Sequence, residues 1–273
     1  MHDVIENDDN LPGQAGLPVA SLVARVTIKR HIRDMDPSHE SGGSDAKILG
    51  DIEGRQWLTK APNNPQGKRI LANEYVAAAI AMRIGAPLQR GAVCVVPDDI
   101  AATMRLSSGA AWSAGDAFGS AFADGTKPYL NTMVAEIKNR DVLMASIAID
   151  TWLSLHDSRQ ARVRDAAGGG YDVIPVDFGH CISPGNWLDL AGRPPIISLH
   201  DPNSWSMGAT ELGVAAVADA IEAVTDGEIE AIVGSIPEPW EVTGEERARL
   251  VTFLVGRRPG VIAALHMLAP GLP

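Results

Sequence analysis

A single helical pattern set among short strand patterns constrains this chain most. Residues 69–84, RILANEYVAAAIAMRI, are alanine-rich with apolar positions at helical spacing, and Gly85 followed by Pro87 stops them. Ahead of them, SLVARVTIKRHIR at 21–33 alternates branched apolar with basic residues, the period-two pattern of a half-buried strand. SHESGGSDAKILGD and GRQWLTKAP then read as turn, strand, turn and strand. After the helix, GAVCVVP is an apolar run bounded by Gly91 and Pro97, and its length and composition suit a buried strand. The N-terminal portion therefore reads as a small sheet with one helix inserted before its last strand.

The remainder has a different character. Residues 107–129 are rich in Gly, Ala and Ser and read as a connector, which puts a lobe boundary near Ser107. A long helical pattern, NRDVLMASIAIDTWLSL, runs from Asn139 to Leu155. Two short apolar runs around Gly168-Gly169-Gly170 then predict a hairpin. Residues 185–209, with their prolines and tryptophans, should be irregular. Helices are expected at Thr210–Ala223, Asp226–Ser235 and Glu245–Leu268, the last capped by Thr243. The expected division is a flexible arm at 1–18, an N-terminal lobe at 19–106 and a C-terminal lobe at 107–273.

Composition narrows the function classes. The 273 residues include 34 Asp plus Glu against 23 Lys plus Arg, a formal net charge of −11, which disfavours broad attraction to nucleic acid or to an anionic membrane surface. A hydrophobic share of 45% with 21% charged residues excludes a chain disordered overall. Cys94 and Cys181 are too few for a disulfide framework and fit two buried thiols in a reducing compartment. The apolar runs are far short of the ~20 residues a bilayer crossing needs. The acidic N-terminal decapeptide is unlike a secretory signal, so a cytoplasmic protein is expected.

Four features carry chemistry. The turn Ser41-Gly42-Gly43-Ser44 leaves backbone N–H groups uncovered, as cradling a phosphate requires. Lys60 ends the strand GRQWLTK, and Glu74 follows fourteen residues later in the helix; a strand lysine fixed by a helix glutamate is an arrangement that holds nucleotide phosphates. Asp157, in Leu-His-Asp-Ser-Arg, closes the long helix on a loop from which it can accept a proton from a hydroxyl. Asp177, in Asp-Phe-Gly directly after YDVIPV, stands at a strand end where it can reach a metal ion. His156 reads as a residue that orients the loop. Trp152, Trp187, Trp205 and Trp240 read as core anchors, and Arg257-Arg258 as a solvated or helix-end charge pair.

In these features the sequence resembles the HipA-like protein kinases, in particular their compact single-domain members. The resemblance rests on TKAPNNPQGKRILANEYVAAAIAMRIGAP, on FGS at 118–120, on IAIDTWLSLHDSRQAR with VIPVDFGH, and on IPEPWEVTGEERARLVTFLVGRR, blocks that span about residues 40–265. It implies an α+β, bilobal, protein-kinase-like fold: a small β-rich N-terminal lobe with one helix, a larger and mostly helical C-terminal lobe, and ATP with Mg2+ between them. It further implies that Lys60 contacts nucleotide phosphates, that Glu74 orients Lys60, that Asp157 is the catalytic base and that Asp177 is a magnesium ligand. An acceptor Ser or Thr of a protein substrate is implied as well, and the family includes toxin–antitoxin members, so an antitoxin-like partner belongs to the expectation.

One position departs from the family pattern. Where those kinases carry an Asn five residues after the catalytic Asp, as ligand to a second metal, this chain carries Arg162. A permanently cationic guanidinium offers no lone pair to magnesium. Its charge could lie against a phosphate in place of the ion, which keeps a kinase, or repel the remaining ion, which leaves a nucleotide-sensing or protein-binding pseudokinase. A small-molecule kinase with the same lobes is the third alternative.

Overall fold

The alternation in the first strand sorts its side chains as the sequence predicts: Val26 and Ile28 turn inward, while Arg25, Thr27 and Lys29 face solvent. The computed structural model describes residues 22–35, 45–155, 160–183, 185, 187–190 and 211–268. Strand β1 (Ala24–Asp34) pairs with β2 (Lys47–Asp51), β2 with β3 (Gln56–Lys60), β3 with β5 (Gly115–Ala121) and β5 with β4 (Gly91–Val96), all antiparallel. A parallel pairing of β4 with β1, from Ala24 opposite Ala92 to Thr27 opposite Val95, closes the barrel. Helix α1 (Arg69–Arg83) packs on the outside of β4 and β5. The run GAVCVV is apolar throughout because one face fills the barrel and the other meets α1.

The segment 107–129 is not a plain connector, since it contains β5, whose pairings with β3 and β4 are needed to close the barrel. A lobe boundary near Ser107 would cut the barrel open, and the barrel ends instead at Ala121. β5 is poor in branched residues for a steric reason: a Cβ on Gly119 would lie 2.5 Å from the Cys94 sulfur. The rest of 98–112 makes the short helix α2 (Asp98–Ala102) and buries Trp112 against the barrel interior.

The predicted stop of α1 takes the form of a Schellman motif. Gly85, with φ of 65°, donates its N–H to the Met82 carbonyl, and Ala86 donates to Ala81.

Beyond the barrel, α3 (Arg140–Leu153) is buried along nearly its whole length. It lies between α1, the sheet of β6 (Lys127–Pro128), β7 (Gln160–Asp165) and β8 (Tyr171–Val176), and the helices α4 (Glu211–Glu222) and α6 (Gly244–Leu268). Trp152 and Trp240 are fully buried and each indole donates a hydrogen bond, to the Leu254 and Asp116 carbonyls respectively; Trp187 is fully buried too. Trp205 lies outside the described residues, as do His156, the arm at 1–18 and most of 185–209. Arg257 is no surface charge: 5% exposed, it donates to the carbonyls of Thr151 and Trp152 and so secures the end of α3, while Arg258 pairs with Asp226. Cys94 and Cys181 are buried and free, and burial pushes the Cys94 thiol up to about 12. Among the described residues no helix is long and apolar enough to cross a membrane.

Helices α5 (Asp226–Gly234) and α6 both start with a capping box. Thr225 and Glu228 exchange hydrogen bonds at the first, Thr243 and Glu246 at the second. The same two glutamates hold arginines of α1. Arg83 donates to both oxygens of Glu228, and Arg69 donates to both oxygens of Glu246 while also reaching the Trp240 and Glu241 carbonyls. Between them, the Tyr75 hydroxyl donates to Ser235 at 2.9 Å and its ring meets Trp240 edge-on; just ahead of the helix, Lys68 pairs with Glu241.

Candidate active site

The C-terminal end of β3 aims Lys60 out of the barrel toward α1 and the end of β8. Its Nζ donates to Glu74 Oε1 at 2.5 Å and to Asp177 Oδ1 at 2.8 Å. Lys60 and Glu74 are only 7% and 4% exposed, so this triad works in a poorly solvated place. Burial by itself would lower the Lys60 pKa; the charges of Glu74 and Asp177 outweigh it and raise the value above the ordinary lysine range. For Asp177, burial pushes upward, but Lys60, with help from nearby His180, holds the carboxyl below its usual value.

Backbone geometry fixes the acidic end of the triad. Asp177 has φ of 62°, a left-handed conformation that costs a non-glycine residue energy and is retained where surrounding contacts impose it. Those contacts come from α1. Glu74 Oε2 accepts from the Phe178 N–H, and Asn73 donates from Nδ2 to the carbonyls of Gly179 and Ser183 at 2.7 and 3.0 Å. Gly179 is required where it stands, because an added Cβ would lie 2.6 Å from Ile70 and 3.2 Å from Lys60 Nζ. Gln66, in the loop before α1, shares a 3.1 Å hydrogen bond with His180.

Beside the triad opens a shallow cleft lined by Ala46, Leu58, Lys60, Glu74, Phe118, Gln160 and Asp177 among others. A second recess adjoins it between α1, β5 and Phe178. The cleft has aliphatic walls from the barrel at one end and charged groups at the other, as a base-and-phosphate ligand requires.

Of the residues singled out in the sequence, Lys60, Glu74 and Asp177 come together. Ser41, Gly42, Gly43, Ser44 and Asp157 lie outside the described residues. Arg162 does not join the triad. It sits inside β7 opposite Ile174, and its guanidinium is taken up by Thr126, with Nε donating to Oγ1 at 2.6 Å and Nη2 to the carbonyl at 2.8 Å. The residue of β7 that lines the cleft is Gln160, opposite Val176 and so beside Asp177. Counting five residues from Asp157 passes over it, whereas the hairpin register, with Gly168–Gly170 at the turn, points to it. Asn73, Gln66 and His180 were also missed; only the adjacency of His180 to Asp-Phe-Gly hinted at any of them.

The donors present suit a hard divalent cation: a carboxylate from Asp177 and an amide oxygen from Gln160, with phosphate oxygens or water to complete a shell. Among the described residues no cluster of three or more His, Cys, Asp or Glu side chains forms a self-sufficient metal cage.

A scan of protein-family models finds no match to this chain, and a search of curated proteins by sequence finds none. Solved structures do match. The chain is similar to the proinflammatory kinase CtkA of Helicobacter pylori, at 16% identity and a TM-score of 0.52, over 90% of this chain and 99% of that one. Two structures of the Golgi casein kinase also match at 10% identity: one with Mn/ADP bound, TM-score 0.45, over 88% of this chain and 74% of that one, and another with TM-score 0.47, over 90% and 76%. The fold is thus that of the protein kinases: mixed α+β, with a β-rich N-terminal part and a helical C-terminal part.

Proposed function

We propose that this chain is an ATP- and magnesium-dependent phosphotransferase of the HipA-like kind, acting on a Ser or Thr hydroxyl of a protein in the cytoplasm. The observation that carries the reading is the buried bridge from Lys60 to Glu74 and Asp177, three residues from three elements meeting at one side of a cleft. In this reading Glu74 holds the Lys60 ammonium toward the phosphates. Asp177, with Gln160, would hold the metal ion, which when bound would neutralise charge developing on the transferred group. The Ser41–Ser44 turn covers the phosphates, and Asp157 accepts the proton of the attacking hydroxyl.

The pseudokinase alternative rested on Arg162. That guanidinium keeps its charge but hydrogen-bonds to Thr126 from a position opposite Ile174, while the β7 residue beside Asp177 is Gln160. Gln160 can offer magnesium an oxygen that an arginine cannot.

The test is titration of ATP with and without magnesium, followed by mass spectrometry for ADP and for phosphate added to protein. The expected result is magnesium-dependent binding with turnover, lost in Asp177→Ala. Asp157→Ala should keep nucleotide affinity and lose orders of magnitude in rate. Binding indifferent to magnesium, without turnover, refutes the enzyme and favours a binding module.

A further inference from the structure

Whether Glu74 meets Lys60 depends on where α1 lies, and α1 is held from both sides. One face packs on β4 and β5 of the barrel. The other is gripped along its length by residues 228–246: Arg69 in the first turn by Glu246, Tyr75 in the middle by Ser235 and Trp240, and Arg83 in the last turn by Glu228.

The grip is itself anchored. Glu228 and Glu246 are fixed by the capping boxes of α5 and α6. The Trp240 indole donates to the Asp116 carbonyl in β5, and Arg257 ties α6 to the end of α3. An outward swing of α1 would therefore break two bidentate, half-buried arginine–carboxylate pairs and leave Glu246, 4% exposed at its side chain, without its cation.

We propose that Arg69 and Arg83 are positioning residues that clamp α1 onto the C-terminal helices, so that the Lys60–Glu74 pair stands assembled in the protein without ligand and without modification of the segment after Asp177. Control of activity then acts on nucleotide or acceptor access, not on the position of α1. The kinetic side of this inference rests on the phosphotransferase reading; its structural side does not.

The experiment is hydrogen exchange on the full-length, nucleotide-free protein together with ATP·Mg titration, for wild type, Arg69→Met, Arg83→Met, Arg83→Lys and Tyr75→Phe. In the wild type the amides of α1 should be as protected as those of α3. Either Met variant should speed exchange in α1 by about tenfold while α3 keeps its protection, and should weaken nucleotide binding by about tenfold. Arg83→Lys should recover part of both, because it restores the charge without the fork. Should Arg69→Met fail to fold, Arg83→Met and Tyr75→Phe carry the comparison. The clamp is overturned if wild-type α1 exchanges like a surface loop until ATP is added, or if the Met variants leave α1 protection and nucleotide affinity unchanged. A wild type that binds no nucleotide sinks the phosphotransferase reading, and the exchange data still judge the clamp.

Discussion

Replacing Lys60 by Met tests the electrostatics of the site independently of any activity. Lys60 is a buried cation bonded to two carboxylates, at 2.5 and 2.8 Å, and methionine fills most of its volume without its charge. Removing one partner of a buried pair costs about 3–5 kcal/mol, because the remaining charge is stranded in a poorly solvated place. At about 2–4 °C per kcal/mol for a chain of this size, the melting temperature should fall by about 6–20 °C at pH 7.5. The pH dependence supplies a sharper check. In the wild type, Asp177 titrates below its ordinary value of 3.8, so its contribution is present above that pH and lost as pH falls through its lower folded value. In the variant, the Asp177 carboxyl has lost the cation that held it down, and burial pushes it upward. Its protonation relieves the penalty, so the variant's deficit should shrink from pH 7.5 to pH 5. Urea unfolding at both pH values measures this, with Lys60→Met/Glu74→Gln expected to recover about half the loss. Equal midpoints for wild type and variant at pH 7.5, or a deficit that does not change with pH, would refute a buried, charge-coupled triad.

Two other sites give independent tests. Asp51, fully buried at its side chain, accepts from the Glu53 and Arg55 amides, Arg55 Nε and the Trp57 indole; Asp51→Ala should cost about 2 kcal/mol in urea unfolding. The Asp51 pKa lies below 3.8, burial being outweighed by these donors, so the difference from wild type should hold at neutral pH and fade as pH drops through that value. Gly179→Ala should reduce nucleotide affinity more than it reduces melting temperature, since its new Cβ pushes on Ile70 and Lys60 at the cleft; unchanged ATP·Mg titrations would count against that placement.

Much of the fold was legible because its strongest signals are local. The period-two alternation at 24–28, the alanine-rich stretch closed by Gly85 and the Thr243 cap each specify an element without help from distant residues. β5 was not legible, since Gly119 is set by the nearness of Cys94, a contact across strands that leaves no periodic trace. Two of the site's residues, Lys60 and Glu74, were readable as a strand end and a helix interior fourteen positions apart. Arg162 was misplaced and Gln160 missed for one reason: counting along the chain from Asp157 ignores that β7 pairs with β8, and the pairing decides which side chain stands beside Asp177. Arg257 looked like a surface charge because nothing in its neighbours announces that two carbonyls at the end of α3 need donors.

The hold of residues 228–246 on α1 also orders events in time. Lys60 and Glu74 leave the ribosome early, but the partners of Arg69 and Arg83 emerge only with Glu228 and Glu246, roughly 160 residues later on the chain. The barrel is complete only with Ala121, so at about 5–20 residues per second a nascent chain spends about 5–25 s with its barrel made and its α1 unsupported. A polypeptide cut short between Asp177 and Glu228 would carry Lys60, Glu74, Asp157 and Asp177 and still lack the brace that holds α1 in place. Competence of the site thus requires that translation has passed Glu246.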